Sequence, residues 1–364
     1  MLHTEVIEAL NSGDAWAFLG AGASAGVGLP TWPQLVDRCL AHLGSDGHRL
    51  SRDAAFSAAR TAKNYPRCFS LLEQAMTREP LEKVVADALS TTASPSSLLT
   101  QLADWPFAGY ITTNYDTLLE GALSDTADRG WVSVGNTSEE AAKVSRNVRG
   151  VVWHVHGSVD PKVPGKLVLT EEDYDRLYVH PNAVADQLRG LLTHRQVVFV
   201  GFGFGDAEVM RLLKQVGRLT TPVRPIFAFI PRSTAAEQGE LLLKHNVKVA
   251  PYAAKGNDHS ALQDLLEVHG ALILRRSLRF GRSARECPSW DPETTGLLLY
   301  NQLAIRQGVE RDVMDTLLRA RVLSLLRHRG ALSADSWSKS WPLGQRSLNA
   351  TRPTRRLPRE SPKS

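Results

Sequence analysis

Asn114 and Asp116 stand just past an apolar run. Residues 107–111 read Phe-Ala-Gly-Tyr-Ile, and Thr112, Thr113, Asn114, Tyr115 and Asp116 follow. A carboxamide and a carboxylate at this place have two uses. One is to cap the helix that the next residues, TLLEGAL, begin, since Asn and Asp lead the N-cap preferences. The other is to face a ligand from the carboxyl end of a parallel strand. Residues 151–160, VVWHVHGSVD, pose a similar choice. His154 and His156 are two apart on a strand-like run and so share a face. Such a pair can ligate zinc, but no third ligand stands nearby, and a buried histidine satisfied by its neighbours is the commoner fate. His156 is followed by Gly157, so it sits where the backbone leaves the sheet. An imidazole there can act as a general base near neutral pH.

Two glycine-rich turns carry a different chemistry. Residues 18–32, FLGAGASAGVGLPTW, follow an apolar run, and Gly20, Gly22 and Ala25 fit the pattern G-x-G-x-x-G/A. Glycines admit a pyrophosphate close to the backbone, and free N–H groups at a helix start hold its charge. The same pattern also serves as a tight strand-to-helix turn. The dehydrogenase version needs an acidic residue at the end of a second strand about 20 residues on. Here Asp37 falls in a helical pattern instead, and Gly28, Pro30 and Trp32 make a stiff loop. Residues 197–209, VVFVGFGFGDAEV, end a second buried run in Gly201, Phe202, Gly203 and Asp206. Either a ribose or phosphate approaches there, or Asp206 caps the next helix.

The elements that must position these residues are read from hydrophobic period. Strands are expected at 15–20, 107–112, 151–156, 166–170, 196–202, 225–230 and 247–252. Most are short, continuous and apolar, as strands buried on both faces are. Helices are expected at about 33–43, 51–63, 67–78, 80–90, 182–193, 206–217, 233–245 and 259–269. The alternation implies an α/β fold with a Rossmann-like parallel sheet and flanking helices. Residues 33–105 read as helix after helix, so a small helical insertion is expected at about 45–95 of a domain spanning 1–274. Residues 275–330 read as a helical extension, and 331–364 as a basic tail with little to bury. In an open parallel sheet the four ligand-like strand ends share one edge.

The 364 residues are 43% apolar and 22% charged, as in ordinary globular proteins. No apolar run reaches the roughly 18 residues that span a bilayer. The first residues, MLHTEVIEALNSGDAW, lack the basic start of a signal peptide. Cys39, Cys68 and Cys287 are too scattered for a disulfide framework or a zinc cluster. A reducing, cytoplasmic location is expected, with no membrane contact. Charge is uneven: residues 275–364 hold 18 Lys and Arg against 8 Asp and Glu, and the rest 25 against 30, giving +10 and −5. The basic tail suits nucleic acid, an acidic partner or water.

The ordered set GAGASAGVGLPTW, TTNYD, HVHGS and GFGFGD resembles the sirtuin-like (silent information regulator 2-type) domain over about residues 10–270. The stretch VKVAPYAAKGNDHSALQDLL resembles the end of its bacterial members, where Tyr252 and Asp258-His259 precede the last helix. The resemblance implies NAD as substrate. Gly20, Ala21, Gly22 and Ser24 would hold its pyrophosphate, and Pro30, Thr31 and Trp32 would cover the nicotinamide ribose. Asn114 would lie near that ribose and Asp116 near the carboxamide, with Thr113 beside them. His156 would match the catalytic histidine, while Gly201, Phe202, Gly203 and Asp206 would meet the adenosine ribose and Asp258 the cofactor.

Protein-deacylating sirtuins carry a four-cysteine zinc module, yet residues 159–200 hold no cysteine, and PTWPQ lacks the family's usual arginine. No metal is expected. These departures resemble the divergent prokaryotic branch of NAD-consuming anti-phage effectors. The implied activity is NAD hydrolysis to nicotinamide and ADP-ribose; a protein deacylase or ADP-ribosyltransferase and a non-catalytic NAD or ADP-ribose sensor are the alternatives. Control would come from homo-oligomer assembly or from a partner such as a HerA-type ATPase. The amphipathic stretch 309–327 is the expected assembly surface. Replacing Leu317 and Val322 by Asp is expected to break that assembly; light scattering checks it, and unchanged particle size contradicts it.

Overall fold

Alternate residues of the first strand face two different cores. In the computed structural model, which describes residues 6–270 except 8, 11, 12, 25, 26, 91, 92, 125, 127–129, 147–149, 205, 206, 218–223 and 255–258, β1 is Ala15–Leu19 and is buried throughout. Ala15, Ala17 and Leu19 pack into one apolar layer, Trp16 and Phe18 into the other. A strand with both faces covered needs no polar alternation, so AWAFL is apolar at every position.

Six further strands follow: β2 (Gly109–Thr112), β3 (Val132–Val134), β4 (Val151–His154), β5 (Gln196–Val200), β6 (Ile226–Pro231) and β7 (Val247–Tyr252). They form one sheet in the order β3-β4-β2-β1-β5-β6-β7, and every pairing is parallel. From β1 the chain winds one way to β2 and β4, then returns to the other side through β5. The edge beside β1 is therefore the topological switch point, where open α/β sheets bind ligands.

Thirteen helices are described. They are α1 (Trp32–Leu43), α2 (Ser45–Leu50), α3 (Ala54–Thr61), α4 (Tyr65–Met76), α5 (Arg78–Leu89), α6 (Ser97–Ala103), α7 (Leu118–Ser124), α8 (Ser138–Arg146), α9 (Glu171–Tyr174), α10 (Ala183–His194), α11 (Ala207–Gly217), α12 (Ala235–His245) and α13 (Ser260–Gly270). Helices α1 and α3–α5 enclose a third core of Val36, Cys39, Phe56, Cys68, Phe69, Leu72, Leu81 and Val85. Tyr115, Leu167 and Leu169 join it, so this helical layer reaches the loops at the sheet's edge. No described helix is long and apolar enough to cross a membrane.

Several expectations are corrected. Residues 166–170 are not a strand. Their backbone groups are held by other partners. Val168 donates its N–H to the His156 carbonyl at 2.9 Å. Tyr115 donates its hydroxyl to the Val168 carbonyl at 2.6 Å, and Arg78 donates to that of Leu167. The N–H groups of Leu169 and Thr170 both go to Asp173 Oδ2 at 3.0 Å. Apolar side chains made the segment look like a strand, but side chains supply what a ladder would. The run 151–156 also ends early, at His154, because residues 155–156 turn. β3 escapes a pattern search because it is three residues long, and α2, α6, α8 and α9 are also additions. The helical extension at 275–330, the stretch 309–327 and the tail lie outside the described residues.

Arg78 ties the helical layer to this segment. It donates to Asp173 at 2.7 Å and to Glu82 at 2.8 Å. Burial works against the Asp173 charge, but the N–H of Thr170 and the guanidinium of Arg78 hold its carboxyl below the usual range. A depressed carboxyl adds stability above its unfolded value, near 3.9, that is lost as pH falls through the folded one. Arg78→Ala is expected to cost about 2–3 kcal/mol at pH 7, since it strands a buried carboxylate. Denaturant unfolding should show the gap to wild type narrowing below pH 4; a gap that widens on acidification contradicts the account.

Candidate active site

The strand register places four loops on one row. Leu19, the last residue of β1, pairs with Thr112 of β2 and with Val200 of β5. Thr112 in turn pairs with His154, the last residue of β4. Residues 20–24, 113–116, 155–158 and 201–203 therefore leave the sheet side by side at its carboxyl edge.

Asn114 is fixed through its backbone and its side chain. Its N–H goes to Thr112 Oγ1 at 3.0 Å, and that hydroxyl donates to the Leu19 carbonyl at 3.1 Å. Asn114 Nδ2 donates to the Gly20 carbonyl and to Ser24 Oγ, each at 3.1 Å. Ser24 donates its hydroxyl to Asp116 Oδ1 at 3.2 Å. Asp116 Oδ1 also accepts the Leu118 N–H at 3.1 Å, so it caps α7 while bonding to the glycine turn. The capping use is thus met by Asp116, and one hydrogen-bonded chain ties it through Ser24 to Asn114 and Gly20. Burial pushes the Asp116 carboxyl up; the Leu118 N–H and the Ser24 hydroxyl oppose it.

The glycines serve close packing. The N–H of Gly22 donates to the Gly201 carbonyl at 2.8 Å. A Cβ on Gly20 or Gly22 would stand 2.7 or 2.8 Å from that oxygen, and one on Gly201, where φ is +65°, would meet the Ala23 nitrogen at 2.2 Å. Only glycine fits where the two turns touch. Phe202 is buried against Phe18 and Phe199, and Gly203 is exposed. Trp32 opens α1, whose N-cap Thr31 sends its N–H to Gln34 at 2.8 Å. The Trp32 ring packs among Tyr65, Phe69 and Tyr115, with its centroid 6.0 Å from that of Tyr115. Pro30 lines a separate depression of about 280 Å³ with Gly28, Gln34, Asp37 and Arg38. Ala21 is exposed, and Thr113 is half-buried beside Asn114. Asp206 and Asp258 lie outside the described residues.

The two histidines part company because β4 ends between them. His154 is fully buried, and its ring nitrogens lie 3.1 Å from the Asn114 carbonyl and 2.7 Å from Glu120 Oε1. His156 is also buried, but its Nε2 shares a 2.7 Å hydrogen bond with the Tyr178 hydroxyl. The Tyr174 ring meets it edge-on at 5.3 Å. Tyr178 stands on a π-helical turn, Asp175–Val179, that continues α9. Such turns are rare and gather at functional sites. Gly157, with φ of +85°, lets the backbone pass close to the Lys166 carbonyl. Tyr178, Tyr174 and Glu120 were not anticipated. The spacing of four between the tyrosines marks one helix face, and Glu120 reads as an ordinary helix acid.

Residues 108–250 match the family model described as a SIR2-like domain. The matched span runs from just before β2 into β7 and takes in Asn114, Asp116, His154, His156 and Gly201–Gly203. Similar curated proteins extend the likeness. The NAD(+) hydrolase ThsA of Enterococcus faecium is 25% identical over 319 residues, 82% of this chain and 64% of its own. The protein of that name from Bacillus cereus is 28% identical over 203 residues, 56% of this chain and 40% of its own. Defense-associated sirtuin 2 of Bacillus subtilis is 23% identical over 216 residues, 59% and 20% of the two chains. The chain thus spans less than two thirds of these relatives' lengths.

Gly201→Ala should strain the contact between the two glycine turns. A loss of about 2 kcal/mol in folding stability is expected, from a left-handed backbone and a backbone clash. Denaturant titration measures it, and an unchanged midpoint contradicts the packing role.

Proposed function

We propose that the chain is an NAD+ glycohydrolase that cleaves NAD to nicotinamide and ADP-ribose, as an effector of anti-phage defence. The observation that carries the reading is the hydrogen-bonded chain Gly20–Asn114–Ser24–Asp116, next to the loop that carries a buried His156. The relatives named for NAD hydrolysis and for defence support it.

The bond to be broken joins the anomeric carbon of ribose to the nicotinamide nitrogen. Its electron pair leaves with nicotinamide, the ribose becomes oxocarbenium-like, and water adds to the anomeric carbon. With Nδ2 committed to Gly20 and Ser24, Asn114 offers its Oδ1 to a ribose hydroxyl or to the water. Asp116 keeps Oδ2 for the carboxamide N–H, its Oδ1 being bonded to Ser24 and Leu118. His156 takes the proton from the water or a ribose hydroxyl. Tyr178 fixes the ring that does so through its hydrogen bond to Nε2. The pyrophosphate lies against the turn Ala21–Ser24, and the adenosine ribose against Gly201–Gly203. None of these roles requires a metal.

NAD loss on this scale stops the infected cell, so the activity is held back until the chain assembles as a homo-oligomer or meets a partner such as a HerA-type ATPase. It acts in the cytoplasm, by abortive infection, and the basic tail contributes nucleic-acid contact. Nicotinamide release by the purified chain, separated by chromatography, tests the reading. Asn114→Ala and His156→Ala are each expected to lower it at least about 100-fold, as loss of a positioning group or a general base does. Release that survives both substitutions sinks the assignment.

A further inference from the structure

The His154 imidazole is enclosed by hydrogen-bond acceptors. Nδ1 stands 3.1 Å from the carbonyl oxygen of Asn114, and a carbonyl only accepts. Nε2 stands 2.7 Å from Glu120 Oε1, which also accepts the Ser133 hydroxyl at 2.8 Å. An oxygen that accepts twice suits a carboxylate. Both ring nitrogens must therefore donate, and an imidazole with two N–H groups is a cation. The charged groups that face it are Glu120, from α7, and Asp116, from the loop after β2. Glu120 Oε2 is buried with no hydrogen-bond partner among the described residues, so His154 is what balances that charge.

We propose that His154, as a buried imidazolium anchored by Glu120, is a positioning residue that holds Asn114 in its working orientation. The idea rests on the reading of Asn114 as a residue of the NAD site. Asn114 lies beyond the last β2 residue, where no ladder holds its carbonyl. Thr112 fixes its N–H on one side and His154 its C=O on the other. With both peptide groups tied, the carboxamide is directed at Gly20 and Ser24. A neutral His154 bonded to a charged Glu120 keeps its proton on Nε2 and turns a lone pair toward the Asn114 carbonyl, which releases it. Burial alone pushes the His154 imidazole down, yet the hydrogen bond and charge of Glu120 outweigh it and hold it above its ordinary value. Glu120 is held below its usual range by the same pairing and by Ser133. On buried Asp116 the two charges of the pair oppose each other, Glu120 raising its carboxyl and His154 lowering it.

Two replacements of Glu120 in the full chain separate positioning from folding. Glu120→Gln can turn its amide to donate to Nε2, leaving the Nδ1–H on Asn114, so kcat should stay within about threefold of wild type. Glu120→Leu offers no partner for Nε2 and no charge; kcat should fall about 10- to 100-fold, the size of a displacement near 1 Å. KM for NAD should change little in either. A merely structural role would make kcat follow the melting temperature in both variants. The charge itself is read without turnover, from nitrogen-15 histidine spectra assigned by the resonances lost in His154→Gln. Both His154 nitrogens should stay protonated at pH 7. A ring proton lost below pH 7, or wild-type kcat in Glu120→Leu, overturns the proposal. A wild type that releases no nicotinamide even when assembled or supplied with its partner would refute the hydrolase reading, and the spectra would still decide the pair.

Discussion

One row of backbone pairing, Val200–Leu19–Thr112–His154, is the constraint on which the rest of the structure depends. Parallel strands leave their loops at the same end, and shared register leaves them at the same height. Sliding any of these strands by one residue would turn its side chains to the opposite face. Trp16 and Phe18 would then exchange cores with Ala15 and Ala17, which the two packed layers do not tolerate. The register is therefore held by burial along the whole strand, while its effect is felt at the end. Thr112 shows the link directly, because it closes the β1–β2 ladder and its hydroxyl seats Asn114.

The loops hold one another once they are aligned. The two glycine turns touch backbone to backbone, Asn114 reaches across to Gly20, and Ser24 joins Asn114 to Asp116. The helical layer closes the same region from outside. Tyr115, the residue between Asn114 and Asp116, packs its ring on Trp32 and sends its hydroxyl to Val168. Val168 in turn donates to the carbonyl of His156. Asn114 and His156 are thus joined through the segment that Arg78 and Asp173 pin down. A helical layer whose own core lies away from the sheet still bears on the geometry of the site.

Much of this was legible in the sequence, for physical reasons. Doubly buried strands such as AWAFL and QVVFV are continuous apolar runs, and the chemistry-bearing residues come directly after them. The helices α1, α4, α5 and α12 followed from period, and Asn64 and Thr234 cap two of them. What escaped was what depends on contacts distant in sequence. The run 166–170 has a strand's composition, but its hydrogen bonds go to Asp173, Arg78 and Tyr115, which no local pattern reveals. The spacing of two put His154 and His156 on one face, and only Gly157 hinted that the strand ends between them. Glu120 and Tyr178 are ordinary helix residues by type, and only their partners make them part of the site.

The central claim is that one NAD molecule lies along this row, with its reacting end between Asn114 and His156. A crystal structure of the chain with ADP-ribose, the expected product, tests it most directly. The account predicts the pyrophosphate on the turn Ala21–Ser24. It predicts the ribose that had carried nicotinamide within hydrogen-bond reach, about 3 Å, of Asn114 or His156. ADP-ribose bound elsewhere, or bound with that ribose turned away from both side chains, would contradict it.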